Sequence, residues 1–262
     1  MPEPVPVVIT RPLAQAGPLA ARVAALGRPV VLLPLLEIDA LDDAGPLQTA
    51  LAELPAYALV AFVSPNAVHA ACAHVKAWPP GVALAVLGEG SRIALAAHGI
   101  TPATASIVSP PDTARSDSEH LLQALDLAAL RGRRVLIVRG DSGRELLADG
   151  LRAAGARVTL VTAYRRRVPR LDGALGATLG ALLAQQNDWV VTSSEALRGL
   201  LGLLQELDAG AAAPDNVVKM LQQHLIVPHA RIAQTAKTLG FTRLTLTGSG
   251  DERLLAALQS RP

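Results

Sequence analysis

Residues 7–38 read VVITRPLAQAGPLAARVAALGRPVVLLPLLEI and predict a strand, a helix and a second strand. The apolar, β-branched runs Val7–Thr10 and Val30–Leu33 are typical of strands. A helix is expected to begin at Pro18 and to end at Gly27, because proline suits the first helical position and glycine the C-terminal stop. Continuous apolar strands joined by a helix favour a parallel sheet covered on both faces. The stretch therefore predicts an α/β fold.

The same alternation of strands and helices runs through the rest of the chain. One later helix is expected over Asp117–Leu130, with Ser116-Asp117-Ser118-Glu119 as a capping box at its start, and another over about Gly143–Ala154. Residues 203–217 are expected to form a loop with frayed helix ends, because alanine, glycine, proline, aspartate and asparagine cluster there. The further strands are expected at Tyr57–Val63, Leu84–Leu87, Ile107–Val108, Arg134–Val138, Val158–Val161, Trp189–Thr192, Leu225–Val227 and Leu244–Thr247.

An internal repeat links the two halves of this pattern. Three pairs of segments correspond in their order of strand, loop and helix: residues 7–38 with 135–166, 57–70 with 188–200, and 83–100 with 224–241. The repeat predicts two similar α/β lobes. In the simplest arrangement one lobe is interrupted, and it comprises residues 1–36 and 168–262, with 40–164 as the second lobe and crossings at 35–41 and 163–168. Two sequential domains remain compatible with the sequence.

Composition excludes several classes of protein. Hydrophobic residues make up 50% of the 262 residues, which argues against disorder, and a net charge of +2 gives no sign of a nucleic-acid surface. The single cysteine, Cys72, excludes an internal disulfide and a multi-cysteine metal site, and the six histidines show no metal-ligand spacing. The start MPEPVP does not read as a signal peptide, and no apolar run approaches the ~18 residues of a membrane span. These features are typical of a soluble cytoplasmic protein.

Polar side chains follow several predicted strands, where a parallel α/β sheet binds its ligands. Ser64-Pro65 combines a helix cap with a proline at the first helical position, and S/T-x-x-E capping boxes begin at Ser142, Thr192 and Ser249. Helix amino ends offer free N–H groups and a partial positive charge to anions. Two interpretations stay open: these residues only cap helices, or they line a site for a small ligand with many carboxylates.

Two arginines stand directly at strand ends, Arg11 after the first strand and Arg139 after the strand that begins at residue 134. Arginine binds a carboxylate through two parallel hydrogen bonds, although pairing with a neighbouring acid is the alternative for each. His229 follows a strand at a predicted helix start, and a structural role is equally open there. Gly88-Glu89-Gly90 begins a dinucleotide-binding fingerprint, but Ile93 stands at the third glycine position, so no such site is predicted.

Five short motifs occur in a fixed order along nearly the whole chain. They are Thr10-Arg11-Pro12, FVSPNA at 62–67, Val138-Arg139-Gly140 with Gly143-Arg144, Ala163-Tyr164, and VTSS at 191–194. In their joint order and spacing these motifs resemble the uroporphyrinogen-III synthase family. The chain departs from the family at two loops, where Gly-x-x-Thr-Ala is common and this sequence has GEGSR at 88–92 and PHAR at 228–231.

The resemblance implies a cytoplasmic enzyme that converts hydroxymethylbilane into uroporphyrinogen III, with inversion of the last pyrrole ring and loss of water. It implies two similar lobes, each a parallel flavodoxin-like sheet with helices on both faces, joined by a two-stranded linker and holding the substrate between them. No metal and no organic cofactor is expected. A monomer that binds neither nucleic acid nor membrane is expected as well.

The resemblance also assigns roles to particular residues. Tyr164, at the returning crossing, is the candidate proton donor to the leaving hydroxyl, with a hinge-packing aromatic as the alternative. Because the electron-rich pyrrole supplies most of the driving force, the enzyme mainly has to position a flexible polyanion. The residues expected to hold its carboxylates are Arg11, Ser64, Arg139, Ser142, Thr192, Ser193 and His229.

Two other functions compete with this interpretation. A two-lobe binding or sensing module for a small anionic ligand would share the cleft and the anion-binding helix ends, and only turnover separates it from the enzyme. A two-lobe nucleotide-sugar transferase should carry an acidic or glycine-rich nucleotide site, and the sequence offers no convincing one.

Overall fold

The computed structural model describes residues 4–112, 117–211 and 214–260. Its strands, in chain order, are β1 (Val7–Ile9), β2 (Val30–Leu32), β3 (Glu37–Asp39), β4 (Leu59–Phe62), β5 (Ala83–Val86), β6 (Ile107–Val108), β7 (Arg134–Gly140), β8 (Arg157–Arg167), β9 (Asp188–Val190), β10 (His224–Val227) and β11 (Leu244–Leu246). Its α-helices are α1 (Leu13–Ala25), α2 (Gly45–Ala52), α3 (Pro65–Cys72), α4 (Glu89–Ala97), α5 (Ser118–Ala124), α6 (Leu146–Ala153), α7 (Gly173–Leu183), α8 (Ser194–Ala209), α9 (Asn216–Leu221), α10 (Ala230–Thr238) and α11 (Asp251–Gln259).

The chain divides into two compact units. Unit 1 comprises the residues up to Glu37 and those from Arg167 onward, and unit 2 comprises Ile38–Arg166. The sheet of unit 1 has the order β11-β10-β9-β1-β2, and all of its neighbouring strands are parallel. This is the flavodoxin-like order, in which the first strand lies between the second and the third. The sheet with most of its residues in unit 2 has the order β3-β8-β7-β4-β5-β6, and its strands from β8 to β6 run parallel.

The two sheets repeat the same arrangement with the strands in a different chain order. The β7–β8 pair of unit 2 takes the place that β1–β2 takes in unit 1, but it comes last in its unit instead of first. The registers agree as well, since Val7 lies opposite Val30 and Val135 lies opposite Val158 at equivalent positions of the sequence repeat. The repeat in the sequence is therefore a repeat in structure, and one copy is circularly permuted relative to the other.

Successive residues of the inner strands point to opposite faces of the sheet, and both faces are covered by helices. In unit 1, Val8 and Trp189 pack with residues of α7, α8, α9 and α10, whereas Ile9 and Val190 pack with residues of α1 and α11. All four side chains are fully buried. Such two-sided burial explains why the strands are continuous apolar runs. The predicted α/β class, with parallel sheets and helices on both faces, is confirmed.

The predicted start of the first helix at Pro18 is wrong. Helix α1 begins at Leu13, with Pro12 before it and Pro18 inside it. The buried residues of the helix are Ala16, Leu19 and Val23, so its apolar stripe already begins in the turn before Pro18. Within that extra turn only Ala16 is buried, and Pro18 leaves one backbone hydrogen bond of the helix unmade.

Several other predicted boundaries differ from the structure. Helix α5 ends at Ala124, and not at Leu130, because Leu125 is already extended; Asp117 is its N-cap, and Ser116 lies outside the described residues. The predicted loop over residues 203–217 is helical in α8 up to Ala209, where Leu203 and Leu204 are buried, and helical again from the start of α9. Helices α2 and α7 have no counterpart in the sequence prediction.

Candidate functional site

Most of the predicted site residues lie at the point where the strand order of each sheet reverses. In a flavodoxin-like sheet this point is at the carboxyl ends of the first strand and of its inner neighbour, and it is where ligands bind. In unit 2 those strands are β7 and β4, with Arg139 near the end of β7 and Ser64 two residues after β4. In unit 1 they are β1 and β9, which are followed by Arg11, Thr192 and Ser193.

Tyr164 and Ser64 form a hydrogen-bonded pair in unit 2. The phenol oxygen of Tyr164 lies 3.0 Å from Oγ of Ser64, although 100 residues separate them in sequence. Tyr164 is 5% exposed and belongs to the core of unit 2. Ser64 is the N-cap of α3, and its Oγ accepts the N–H of Ala67 at 3.1 Å, as Ser64-Pro65 predicts. The hydroxyl of Ser64 therefore connects the amino end of α3 to the phenol.

An irregularity in strand pairing directs Tyr164 toward Ser64. Arg139 of β7 lies opposite Thr162 of β8, but the next residue, Gly140, lies opposite Tyr164. Ala163 is the extra residue of this bulge, and Ala163 and Tyr164 are both buried although they are adjacent. A bulge shifts the alternation of side chains and re-aims those that follow it. The bulge thus turns Tyr164 into unit 2.

Gly140 leaves the space that the ring of Tyr164 occupies. A Cβ atom built on Gly140 would lie 2.9 Å from Cζ of Tyr164 and 3.1 Å from its hydroxyl oxygen. Real Cβ contacts are longer than this, because carbon atoms reach their best separation at about 3.5–4.0 Å. A side chain at position 140 would therefore displace the tyrosine ring.

The predicted capping box from Ser142 to Glu145 does not form. Helix α6 begins one residue after Glu145 and has no side-chain cap. Glu145 instead accepts a hydrogen bond from the Arg139 guanidinium at 2.6 Å, and the Arg139 side chain is 11% exposed. Both the carbonyl oxygen and Oγ of Ser142 accept hydrogen bonds from the guanidinium of Arg166, at 2.6 and 2.8 Å. Arg139 is therefore held by the side chain of Glu145, and Ser142 by the side chain of Arg166, and Ser142 does not cap a helix.

In unit 1, Arg11 is paired with an acid of a helix start. Its guanidinium lies 2.7 Å from Oδ1 of Asp251, the first residue of α11. Gly250 is the N-cap of that helix, with φ at 98° and no side-chain cap, so the capping box predicted from Ser249 does not form. The ion pair holds the Arg11 side chain, which is 17% exposed, at the carboxyl end of β1.

Two more predicted residues of unit 1 lie at helix starts. Ser193 is the N-cap of α8 and its Oγ accepts the N–H of Ala196 at 3.3 Å, so Thr192, which the box predicted as the cap, lies one residue before it. His229 is the N-cap position of α10, and its Nδ1 lies 3.4 Å from Oγ of Ser249.

A pocket of about 380 Å³ in unit 2 is lined in part by Tyr164. Asn66 and His69 of α3 line it too, and neither is among the predicted site residues. Nδ1 of His69 lies 2.9 Å from Nε2 of His98, and desolvation together with His98 lowers the pKa of His69. Asn66 follows Ser64 within the FVSPNA motif, so position in that motif was the signal that could have found it.

Other kinds of site find no support in the part of the chain that the structure describes. Within residues 4–112, 117–211 and 214–260, no group of three or more histidine, cysteine, aspartate or glutamate side chains could hold a metal ion. Burial raises the pKa of the Cys72 thiol to about 11, which keeps it protonated and unreactive at neutral pH. Over the same described ranges, no helix is long and apolar enough to cross a membrane.

Comparison with known proteins gives one family. The family model of uroporphyrinogen-III synthase HemD matches residues 17–246. The chain is 34% identical over 262 residues to the uroporphyrinogen-III synthase of Salmonella typhimurium, covering 97% of this chain and 99% of the relative, and 32% identical over 258 residues to that of Escherichia coli, with the same coverage.

Solved structures of similar fold bear the same name. The uroporphyrinogen-III synthetase of Helicobacter pylori has a TM-score of 0.57 at 15% identity and covers 100% of both chains. A mutant uroporphyrinogen III synthase of Thermus thermophilus has a TM-score of 0.55 at 18% identity and covers 98% of this chain and 100% of its own. At these identities the likeness supports the fold alone.

Proposed function

Since the chain belongs to the uroporphyrinogen-III synthase family and is therefore an enzyme that cyclises hydroxymethylbilane, we propose that Tyr164 donates the proton on which this cyclisation depends. The binding or sensing module is not favoured, because family and full-length relatives agree on the enzyme. The observation that carries the proposal is the phenol of Tyr164, held 3.0 Å from Ser64 beside a pocket of unit 2.

The proposed step is general acid catalysis. Hydroxide is a poor leaving group, and protonation by a positioned side chain lets it depart as water. The pyrrole nitrogen supplies the electron pair that replaces the broken C–O bond, so one proton donor is sufficient. The electron-poor carbon that is left must then bond to the last pyrrole ring in the way that inverts this ring, before direct closure occurs. This choice depends on how the substrate is held.

Binding of the substrate carboxylates is proposed for the side chains at the two strand-order reversals. Arg11 and Arg139 support this role, because each already holds one carboxylate at a strand end, that of Asp251 and that of Glu145. A substrate carboxylate would take the place of that acid, and a guanidinium can hold such a group through two parallel hydrogen bonds. The other residues proposed to contact carboxylates are Ser142, Thr192, Ser193 and His229, whereas Ser64, for which the sequence predicts the same role, already bonds to Tyr164.

The interrupted arrangement of two lobes is also proposed, with residues 1–36 and 168–262 in one and 40–164 in the other. The division of the chain near Glu37 and Arg166 supports it, and so does the pairing of β3 with β8 over the proposed linker segments 35–41 and 163–168. A cytoplasmic location is proposed because the relatives are bacterial biosynthetic enzymes, and a monomer is proposed with it. Light scattering after size exclusion tests the monomer, and cell fractionation tests the location.

The activity is tested by giving the purified protein freshly generated hydroxymethylbilane, oxidising the product and separating the porphyrin isomers. Isomer III should predominate. Tyr164→Phe removes a single oxygen and should lower kcat by roughly 10²-fold or more, with little change in stability. Only isomer I, the spontaneous product, from a folded wild-type sample would overturn the activity, and an unchanged kcat in Tyr164→Phe would remove Tyr164 from the mechanism.

A further inference from the structure

We infer that Ser64 is a positioning residue for the proton donor: its hydroxyl fixes the phenol of Tyr164 and stabilises the phenolate that forms when the proton leaves. This inference rests on the proposed role of Tyr164. It gives Ser64 a different task from holding a substrate carboxylate, and the difference follows from the hydrogen bonds that its hydroxyl already makes.

A serine hydroxyl has one proton to donate and two lone pairs to accept with. One lone pair of Ser64 accepts the N–H of Ala67 at 3.1 Å, and the contact to the Tyr164 oxygen is 3.0 Å. Once Tyr164 has given up its proton, its oxygen can only accept. The single proton of Ser64 then has to point at the phenolate, so none remains for a carboxylate.

The amino end of α3 strengthens this donation. Helix α3 spans eight residues from Pro65 to Cys72, and its first N–H groups carry a partial positive charge. The N–H of Ala67 draws electron density from Oγ of Ser64, which makes the serine O–H a better donor. Ser64 therefore transmits the positive end of the helix to the phenol oxygen without a charged side chain.

The pairing is specific to unit 2, although the helix cap is common to both units. Ser193 caps α8 through Ala196 as Ser64 caps α3 through Ala67, at equivalent places of the repeated sheet. The chain has two tyrosines, Tyr57 and Tyr164, and both lie within residues 38–166. A serine can therefore cap the equivalent helix without a tyrosine beside it, so capping does not account for the phenol within hydrogen-bonding distance of Ser64.

Gly140 of β7, the strand between β8 and β4, confines the phenol as well. A Cβ on Gly140 would stand 3.1 Å from the Tyr164 oxygen, so the ring lies against the backbone of β7 while its hydroxyl reaches Ser64. A phenol that is fixed both by a hydrogen bond and by packing against a strand presents its proton in one direction. Pre-organised geometry of this kind lowers the barrier, because no reorganisation accompanies the reaction.

Atoms and charge balance in the resulting step. The Tyr164 proton moves to the leaving hydroxyl, the C–O bond breaks with its electron pair on the departing water, and the pyrrole nitrogen lone pair fills the electron-poor carbon. Ser64 donates a hydrogen bond to the phenolate oxygen and keeps its proton. The proton released when the newly bonded pyrrole regains aromaticity returns to Tyr164.

The test compares Ser64→Ala, Ser64→Thr, Tyr164→Phe and the double variant Ser64→Ala/Tyr164→Phe in the isomer assay. Ser64→Ala should lower kcat by roughly 10-fold or more with KM nearly unchanged, and Ser64→Thr, which keeps the hydroxyl, should restore most of it. The double variant should be no slower than Tyr164→Phe, because residues that act through one another are not additive.

Asp172→Ala provides the matched control for loss of a helix cap. Asp172 caps α7 by accepting the N–H of Leu175 at 2.7 Å and lies outside the proposed machinery. It should lower the thermal midpoint about as much as Ser64→Ala while kcat stays unchanged. A rise in KM without a fall in kcat in Ser64→Ala, or additive losses in the double variant, would overturn the inference. If Tyr164→Phe itself keeps full kcat, the proposed proton donor fails and Ser64 fails with it.

Discussion

Replacement of Gly140 by alanine perturbs the tyrosine without altering its chemistry. The φ angle of Gly140 is not in the left-handed region, so the backbone accepts alanine and only the new methyl group matters. That methyl carbon would lie 2.9 Å from Cζ of Tyr164. Since carbon atoms pack best at about 3.5–4.0 Å, the ring must retreat by roughly 0.6–1 Å.

Two effects of this retreat can be estimated. Overpacking of a filled interior costs about 1–3 kcal/mol of unfolding free energy. The phenol oxygen, now 3.0 Å from Ser64, would move beyond hydrogen-bonding distance if the shift is directed away from it. Displacement of a reacting group by about 1 Å can cost roughly 10²-fold in rate. Gly140→Ala is therefore expected to lose kcat far beyond what its loss of stability explains.

The assay measures the rate of isomer III formation together with the thermal midpoint. Gly180→Ala in α7 is the matched control, because a Cβ built on Gly180 meets no atom within 4 Å. Alanine in a helix is favoured over glycine by about 0.8–1.0 kcal/mol, so this variant should be slightly more stable and fully active. If Gly140→Ala keeps the wild-type kcat and thermal midpoint, the claim that glycine makes room for Tyr164 is refuted.

Three further predictions concern charge and reactivity. Arg11→Gln should raise KM more than it lowers kcat, because Arg11 is proposed to bind a carboxylate. Steady-state kinetics in which kcat falls while KM stays unchanged would contradict that role. The hydrogen bond from Arg144 holds the pKa of Glu119 below its usual range. The stabilisation from this pair is therefore complete above the unfolded pKa of about 4.3, and it disappears as the pH falls through the lower pKa of the folded state. Urea unfolding of Arg144→Gln should therefore show its deficit at pH 7 and a shrinking one in acid, and a pH-independent deficit would exclude this cause. Cys72, with its pKa raised to about 11, should react slowly with a thiol reagent at pH 8, and rapid labelling of the native protein would contradict its burial.

The sequence predicts the fold well where local pattern and burial agree. Val7–Ile9 and Val190 lie in strands as their apolar character predicts, because both faces of the sheet are covered. Ser64-Pro65 starts a helix as predicted, because the capping serine, the proline and the apolar face of the helix all lie within a few residues and all indicate the same start.

Long-range contacts decide the features that the sequence does not reveal. The boxes at 142–145 and 249–252 have correct spacing, but each contains a glycine with positive φ, Gly143 at 146° and Gly250 at 98°, before the helix begins. Their acids bind arginines outside the box instead: Glu145 binds Arg139, which precedes it by 6 residues, and Glu252 binds Arg22 of α1. The contact between Ser64 and Tyr164 depends on a bulge and spans 100 residues, so no local pattern could have located it.

The permuted order of the two units has a consequence for the newly made chain on the ribosome. Strand β1 lies inside its sheet between β2 and β9, yet β9 is about 180 residues away, as the hydrogen bond from Thr10 to Val190 shows. At about 5–20 residues per second, β1 waits roughly 10–40 s for that partner to be synthesised. Meanwhile β4 to β8 emerge together and can pair among themselves. We therefore expect the interrupted unit to be completed last, and its first strand-helix-strand segment to be the part of the nascent chain that most needs protection by chaperones.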